Sequence, residues 1–173
     1  MGIRGEYLGM ALTVDDLDVE NIEYFRHCAE HDFHVQACAQ CGRLRYPPTT
    51  ACPWCATLES TWKRVEGRGT VHSYTEVHHA IQPAFRGKTP YLILLVDLDM
   101  QKGEPTPEEA LRVVGNLCTP DGSLAPSDQV RRVGIGTRVR MVFSNVNAGL
   151  ALPQWTIDET TTQPPNVWRY PQE

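Results

Sequence analysis

No apolar run in the sequence approaches the roughly 20 residues that a membrane-spanning helix needs. The longest, Tyr91 to Val96, has the length of a strand. The stretch from Met1 to Ala11 has no basic start, apolar centre or small-residue cleavage site, so no secretory leader is read there and a cytoplasmic location is expected. Positive charge is scarce as well: 16 Lys and Arg stand against 21 Asp and Glu, a net charge of −5. Affinity for phosphate backbones comes from clustered Lys and Arg, so nucleic acid is a disfavoured partner. Neither a Gly-rich phosphate loop, an HExxH pair nor a Ser-His-Asp order occurs, which leaves the common catalytic constellations without a foothold. What remains is compositionally ordinary, with 41% hydrophobic and 21% charged residues, and neither disorder nor a fibrous repeat is suggested. A chain of 173 residues has room for one main core and a small satellite module.

The six cysteines are the strongest signal. Cys38 and Cys41 form one CxxC pair and, ten residues on, Cys52 and Cys55 form a second. In a reducing compartment such pairs are read as a metal site before they are read as crosslinks. Each pair places two sulfurs on one side of a tight turn, and two such knuckles facing each other complete a tetrahedral shell of four thiolates. Zn²⁺ is favoured because nothing in the sequence suggests redox work, although a rubredoxin-like iron site has the same ligands and the spacing alone does not separate them. Four protein thiolates leave no open position for water or substrate, so the expected role is structural, with metal binding supplying the folding free energy that a small apolar-poor module lacks. Cys28 and Cys118 stand apart and read as inert buried thiols.

Along the chain, residues 1–12 show no clear period and are expected to form a mobile arm. Thr13 and Asp16 resemble a capping box, and Ile22, Phe25 and Ala29 recur at helical spacing, which predicts an amphipathic helix up to about Glu30. From His34 to Trp62 the sequence is rich in Cys, Pro and Gly. Five strands are predicted beyond it: Thr70 to His79, Pro90 to Leu98, Leu111 to Leu117, Thr137 to Ser144 and Leu150 to Asp158. The gaps Met100 to Ala110 and Thr119 to Gly136 read as surface loops. The expected organisation is an arm and helix over residues 1–33, a zinc ribbon over 34–63, a barrel over 64–159 and a Pro-rich tail over 160–173 that frays or docks on a partner through Trp168 and Tyr170.

This order of elements, with Cys38-Ala39-Gln40-Cys41-Gly42, Tyr46-Pro47-Pro48, Cys52-Pro53-Trp54-Cys55, Gly67-Arg68-Gly69-Thr70-Val71, Pro90-Tyr91 and Gly136-Thr137-Arg138-Val139, resembles a known family. Its members are acyl-CoA-associated proteins built from an N-terminal helix, a rubredoxin-like zinc ribbon and a C-terminal OB-fold, and they act as accessory subunits of thiolase-like enzymes. The resemblance implies a mainly β fold with an N-terminal helix, a structural zinc on Cys38, Cys41, Cys52 and Cys55, and a five-stranded OB-fold barrel. It further implies a partner of the lipid-transfer-protein type within the thiolase fold, assembled as a heterotetramer. That partner would carry the catalytic groups and most of the contacts to a CoA thioester, and would most resemble the lyases that shorten steroid side chains by retro-aldol cleavage. Thiolases, acyltransferases and 3-hydroxy-3-methylglutaryl-CoA synthases are the other partners the family suggests.

Two rival readings rest on particular residues. OB-folds and zinc ribbons also bind single-stranded nucleic acid, and Lys63, Arg64, Arg68, Arg131, Arg138 and Arg140 are among the cations available, but acids outnumber them and few aromatics interleave. His27, His31 and His34, and again His72, His78 and His79, invite an acid-base or metal reading. No carboxylate or nucleophile follows them at a recognisable spacing, and surface or core roles are expected.

Overall fold

Strand formation after residue 67 follows from alternation of β-branched and long apolar side chains with polar ones, which suits a sheet curled around a core. The structure, a computed structural model, describes residues 2–170. The first residue of the expected arm and the last three of the tail lie outside the described residues. In chain order the elements are β1 (Ile3–Tyr7), β2 (Met10–Val14), α1 (Val19–Ala29), β3 (His34–Cys38), β4 (Leu44–Arg45) and β5 (Ser60–Arg64), then β6 (Arg68–Val77), β7 (Tyr91–Leu98), β8 (Arg112–Asn116), α2 (Ser127–Arg132), β9 (Arg138–Asn147) and β10 (Leu150–Ile157).

The five predicted strands are β6 to β10, and they form one antiparallel sheet in the order β10-β9-β6-β7-β8. Its ends approach through a parallel bridge between Leu117 and Trp155, where the Cys118 amide donates to the Trp155 carbonyl at 2.7 Å. The sheet thereby wraps into an OB-fold barrel. Trp155, Leu92, Leu94, Val96, Val113 and Val139 fill it, all fully buried. Gly69 lies on β6 between β9 and β7, where a Cβ would run into the Asp97 carbonyl oxygen; the backbone comes this close only because the position has no side chain. The segment 119–136 is not wholly a surface loop as expected. It contains α2, whose Val130, followed by Val133, is buried against the barrel. Six residues are too few for a helical period to be legible.

A second, three-stranded sheet in the order β4-β3-β5 carries the cysteines. It is tied to the barrel by Gln101 of the β7–β8 connection, whose side-chain amide hydrogen-bonds both backbone groups of Leu44 on β4. Helix α1 packs against β3, β9 and β10. Ile22, Tyr24 and Cys28 are buried, and Tyr24 meets Phe25 and Phe33 edge-on, so the apolar stripe docks within the chain. The helix starts later than expected: Asp18, not Thr13, is its N-cap, accepting from the Asn21 amide at 3.2 Å, and Thr13 belongs to β2.

The expected mobile arm is instead a hairpin. β1 and β2 pair from Ile3 opposite Val14 to Tyr7 opposite Met10. Leu8 and Gly9 make the turn with φ of 52° and 80°, the two successive left-handed residues that match a tight hairpin to strand twist. One face of the hairpin is half-buried, and the Asn147 side chain donates to the Arg4 carbonyl at 2.6 Å. The tail also departs from expectation by docking on its own barrel: Trp168 bridges Ile135, and the Tyr170 amide donates to the Tyr74 hydroxyl at 2.9 Å.

Candidate metal centre

The first knuckle is the turn between β3 and β4, and the second lies in the irregular connection between β4 and β5. In the first, the Gly42 amide returns to the Cys38 carbonyl at 3.0 Å; in the second, Ala56 returns to Cys52 at 2.9 Å. Both turn residues are left-handed, with φ of 72° at Gly42 and 61° at Ala56. Each knuckle therefore reverses the chain just after its second cysteine and presents both sulfurs to the other.

The sulfurs of Cys38, Cys41, Cys52 and Cys55 all lie within 4.8 Å of one another. Across the two knuckles, Cys38 Sγ is 3.5 Å from Cys55 Sγ and Cys41 Sγ is 3.7 Å from Cys52 Sγ. Four thiolates bonded to one ion at about 2.3 Å sit about 3.8 Å apart in a tetrahedron, so these four fit a single metal ion. The Cys41 amide points at Cys38 Sγ at 3.5 Å, a polar N–H of the kind that steadies thiolate charge. Cys38 and Cys52 are buried while Cys41 and Cys55 are half-buried, so one side of the cluster is nearer solvent. Among the described residues this is the one such group of His, Cys, Asp or Glu side chains.

The other singled-out residues do not gather into a site. Burial pushes the thiols of Cys28 and Cys118 up to about 12, which makes both poor nucleophiles. His27 stacks on His34 at 3.9 Å, and His31 stacks on Phe143 while contacting the Asn145 amide oxygen at 2.7 Å. His72 sits beside Asp97 at 3.2 Å, and His78 and His79 lie beyond the end of β6. The cations are largely spoken for: Arg64 pairs with Asp32, Arg68 with Glu66 and Asp158, Arg112 with Asp97 and Arg138 with Asp99. Arg64, Arg68 and Arg140 do share a 580 Å³ cleft where ribbon meets barrel, but Asp32 and Glu66 line it too. That mixture does not make the continuous positive track that single-stranded nucleic acid follows. No helix among the described residues is long and apolar enough to cross a membrane.

Helix, tetracysteine ribbon and five-stranded barrel together define a ribbon-plus-OB-fold protein. Residues 62–144 match the family model described as ChsH2, C-terminal OB-fold domain, a match that supports the family resemblance carried by the motifs. It is similar to a probable enoyl-CoA hydratase alpha subunit of Thermomonospora curvata, 32% identical over 136 residues, which cover 78% of this chain. The same match takes in 36% of that relative, so the chain spans about a third of its length. Among solved structures, it is similar to a chain of an Ltp2-ChsH2(DUF35) aldolase at 28% identity and a TM-score of 0.63, covering 83% of this chain and 98% of that one. A DUF35 protein of unknown function from Sulfolobus solfataricus aligns at 16% identity and a TM-score of 0.47.

Proposed function

We propose that the chain is a non-catalytic accessory subunit that binds and stabilises a thiolase-like enzyme acting on acyl-CoA thioesters, its ribbon held by a structural Zn²⁺ on Cys38, Cys41, Cys52 and Cys55. The observation that carries this reading is the likeness to the Ltp2-ChsH2(DUF35) aldolase chain, which extends over nearly all of that chain. The enoyl-CoA hydratase relative places a similar segment in a second protein named for CoA-thioester chemistry, although the hydratase name belongs to a protein of which this segment is the lesser part. Within this reading the partner is an aldolase of the lipid-transfer-protein type, joined as a heterotetramer, and the reaction is retro-aldol cleavage of a steroid side chain.

The metal assignment rests on the donor set. Four soft thiolates at tetrahedral spacing suit zinc, and with all four engaged the ion has no open position for substrate. The role left to this chain is mechanical. Helix α1 packs on both the ribbon strand β3 and the barrel strands β9 and β10, and the docked tail leaves Trp168 and Tyr170 exposed, side chains of the kind enriched at interface hot spots. We take the domain organisation to be functional as well, the ribbon of residues 34–63 serving as a brace for the barrel of 64–159.

The test is co-expression with a thiolase-like protein of the lipid-transfer-protein type from the same organism, followed by size exclusion and assay of both fractions. The reading predicts co-elution and a partner that is unstable or inactive alone; separate elution with a fully active lone partner would sink it. Elemental analysis of the pure chain should find about one zinc per chain, and Cys38→Ser or Cys55→Ser should yield insoluble protein.

A further inference from the structure

Gln36 and Arg45 are cross-strand neighbours on β3 and β4, and each is only 4% exposed. Arg45 Nε donates to Gln36 Oε1 at 2.9 Å. The same oxygen accepts the Thr49 amide at 2.8 Å, while Arg45 Nη2 donates to the Thr49 carbonyl at 3.0 Å. Both backbone groups of Thr49 are thus taken by one buried pair of side chains. Thr49 precedes Cys52 by three residues, and its hydroxyl donates to the carbonyl of Ala51 at 2.9 Å. Gln36 precedes Cys38 by two residues. The pair therefore ties the strand that bears the first knuckle to the segment that bears the second.

This arrangement is expensive. A guanidinium so buried normally has a carboxylate beside it, yet Arg45 makes no ion pair among the described residues, and its Nη1 finds no hydrogen-bond partner. A neutral donor could close a turn as well, so the fork of Arg45 is kept for geometry: one planar group fixes both Gln36 and Thr49. The second knuckle needs such a fixture because it belongs to no strand ladder. Beyond it the ties are weaker, an exposed contact in which the Thr57 hydroxyl donates to Gln40 Oε1, and the Ala39 amide on the Glu59 carbonyl at 3.1 Å.

We propose that Arg45 and Gln36 are positioning residues of the metal centre, holding the Cys52-Cys55 knuckle opposite Cys38-Cys41 and slowing the escape of the ion. The inference rests on the reading of the four cysteines as a metal site.

The test compares zinc release from the full chain to excess chelator, followed with a chromogenic zinc indicator, in wild type, Arg45→Gln, Arg45→Lys and Gln36→Ala. Partners of this outer kind alter metal affinity by about 10- to 100-fold, so release should be about 10-fold faster or more in all three variants. Barrel unfolding, monitored on saturating zinc, should not move in parallel. Cobalt-loaded variants should keep the wild-type absorption bands of a four-sulfur site, because the ligands themselves are unchanged. Should Arg45→Gln fail to fold, Gln36→Ala, which keeps the charge, carries the comparison. Wild-type release rates in the variants, or full rescue by Arg45→Lys, would overturn the positioning role while the metal site stood. A wild-type chain that takes up no metal would instead bring down the metal reading itself.

Discussion

The side-chain amide of Gln101 closes on both backbone groups of Leu44, accepting its N–H at 2.7 Å and donating to its carbonyl at 2.8 Å. Gln101 belongs to the long connection between β7 and β8, and Leu44 to the ribbon strand β4, so a barrel loop supplies the pairing that a neighbouring strand would have given. Leu44 is buried, and without the amide its N–H and C=O would lose their partners in a place water reaches poorly. Gln101→Ala should cost about 2 kcal/mol. Hydrogen exchange should locate the loss, with the Leu44 amide and its neighbours in β4 exchanging faster while the β6 and β7 amides keep their protection. Uniform loss of protection across the barrel would contradict a local joint.

Ala56 occupies in the second knuckle the place that Gly42 holds in the first, with the same left-handed backbone. Left-handed geometry costs an L-residue roughly 1–2 kcal/mol, partly offset because glycine gives the unfolded chain more freedom. Ala56 is exposed and packs little, so Ala56→Gly should raise ribbon stability by about 0.5 kcal/mol. The converse change, Gly42→Ala, meets no atoms within 4 Å and should cost about 1 kcal/mol through backbone strain alone. Chelator titrations of the metal-loaded variants measure both, and equal effects of the same sign would refute the argument.

The cysteine pairs and the barrel strands were legible because both are local patterns: a fixed spacing of ligands, and strand-length stretches such as the apolar run of β7 and the alternation of Val139, Met141 and Phe143 with arginines in β9. The hairpin was legible in principle, since Met10, Leu12 and Val14 alternate after Leu8-Gly9, but its apolar face is thin and the eye needs the barrel beneath it. Nothing in the sequence pairs Gln101 with Leu44 or Asn147 with Arg4, since such contacts depend on how separate elements meet. The same holds for Gln36, Arg45 and Thr49: a lone Gln and Arg on a short strand look like ordinary surface until both prove to be buried. Likewise the tail's Pro-rich text suggested fraying, and only the groove beside Ile135 shows why it is held.

Asp158 should set part of the acid sensitivity of the barrel. Its carboxylate is fully buried and accepts the Thr160 hydroxyl at 2.6 Å, the Thr160 amide at 3.1 Å and Arg68 Nη1 at 2.8 Å. Burial pushes its pKa up, but the Thr160 donors and the Arg68 guanidinium outweigh that and hold it below the usual carboxylate range. A folded pKa below the unfolded one contributes stability above the unfolded value and loses it as pH falls through the folded value. Asp158→Asn should therefore cost about 2 kcal/mol near neutrality, and the gap to wild type should narrow as pH drops below about 4. Denaturant titrations at a series of pH values test this; a gap that stays constant down to strong acid would mean that ionisation of Asp158 is not what the barrel uses.

Arg169 decides whether the tail belongs to the fold. Its guanidinium donates to the carbonyls of Val130, at 2.7 Å, and Val133, at the end of α2, and to Glu76 Oε2 at 2.5 Å, while stacking on Tyr74 with 5.3 Å between guanidinium carbon and ring centroid. One side chain thus joins α2, β6 and the tail, and both it and Glu76 are about four-fifths shielded. Arg169→Ala would strand the Glu76 carboxylate with, among the described residues, only His78 paired to it at 3.5 Å, and leave two carbonyls of the α2 terminus to water. The expected cost is about 2 kcal/mol, which for a chain of this size lowers Tm by about 4–8 °C. Arg169→Lys should recover little of it, because an ammonium cannot serve the two carbonyls and the carboxylate in one plane or stack on Tyr74. In parallel, proteases that cut in the tail should remove it from the Ala variant faster than from wild type. An unchanged Tm with unchanged cleavage would mean that the strap is held by the Trp168–Ile135 bridge instead, and Trp168→Ala would then be the variant that frees it.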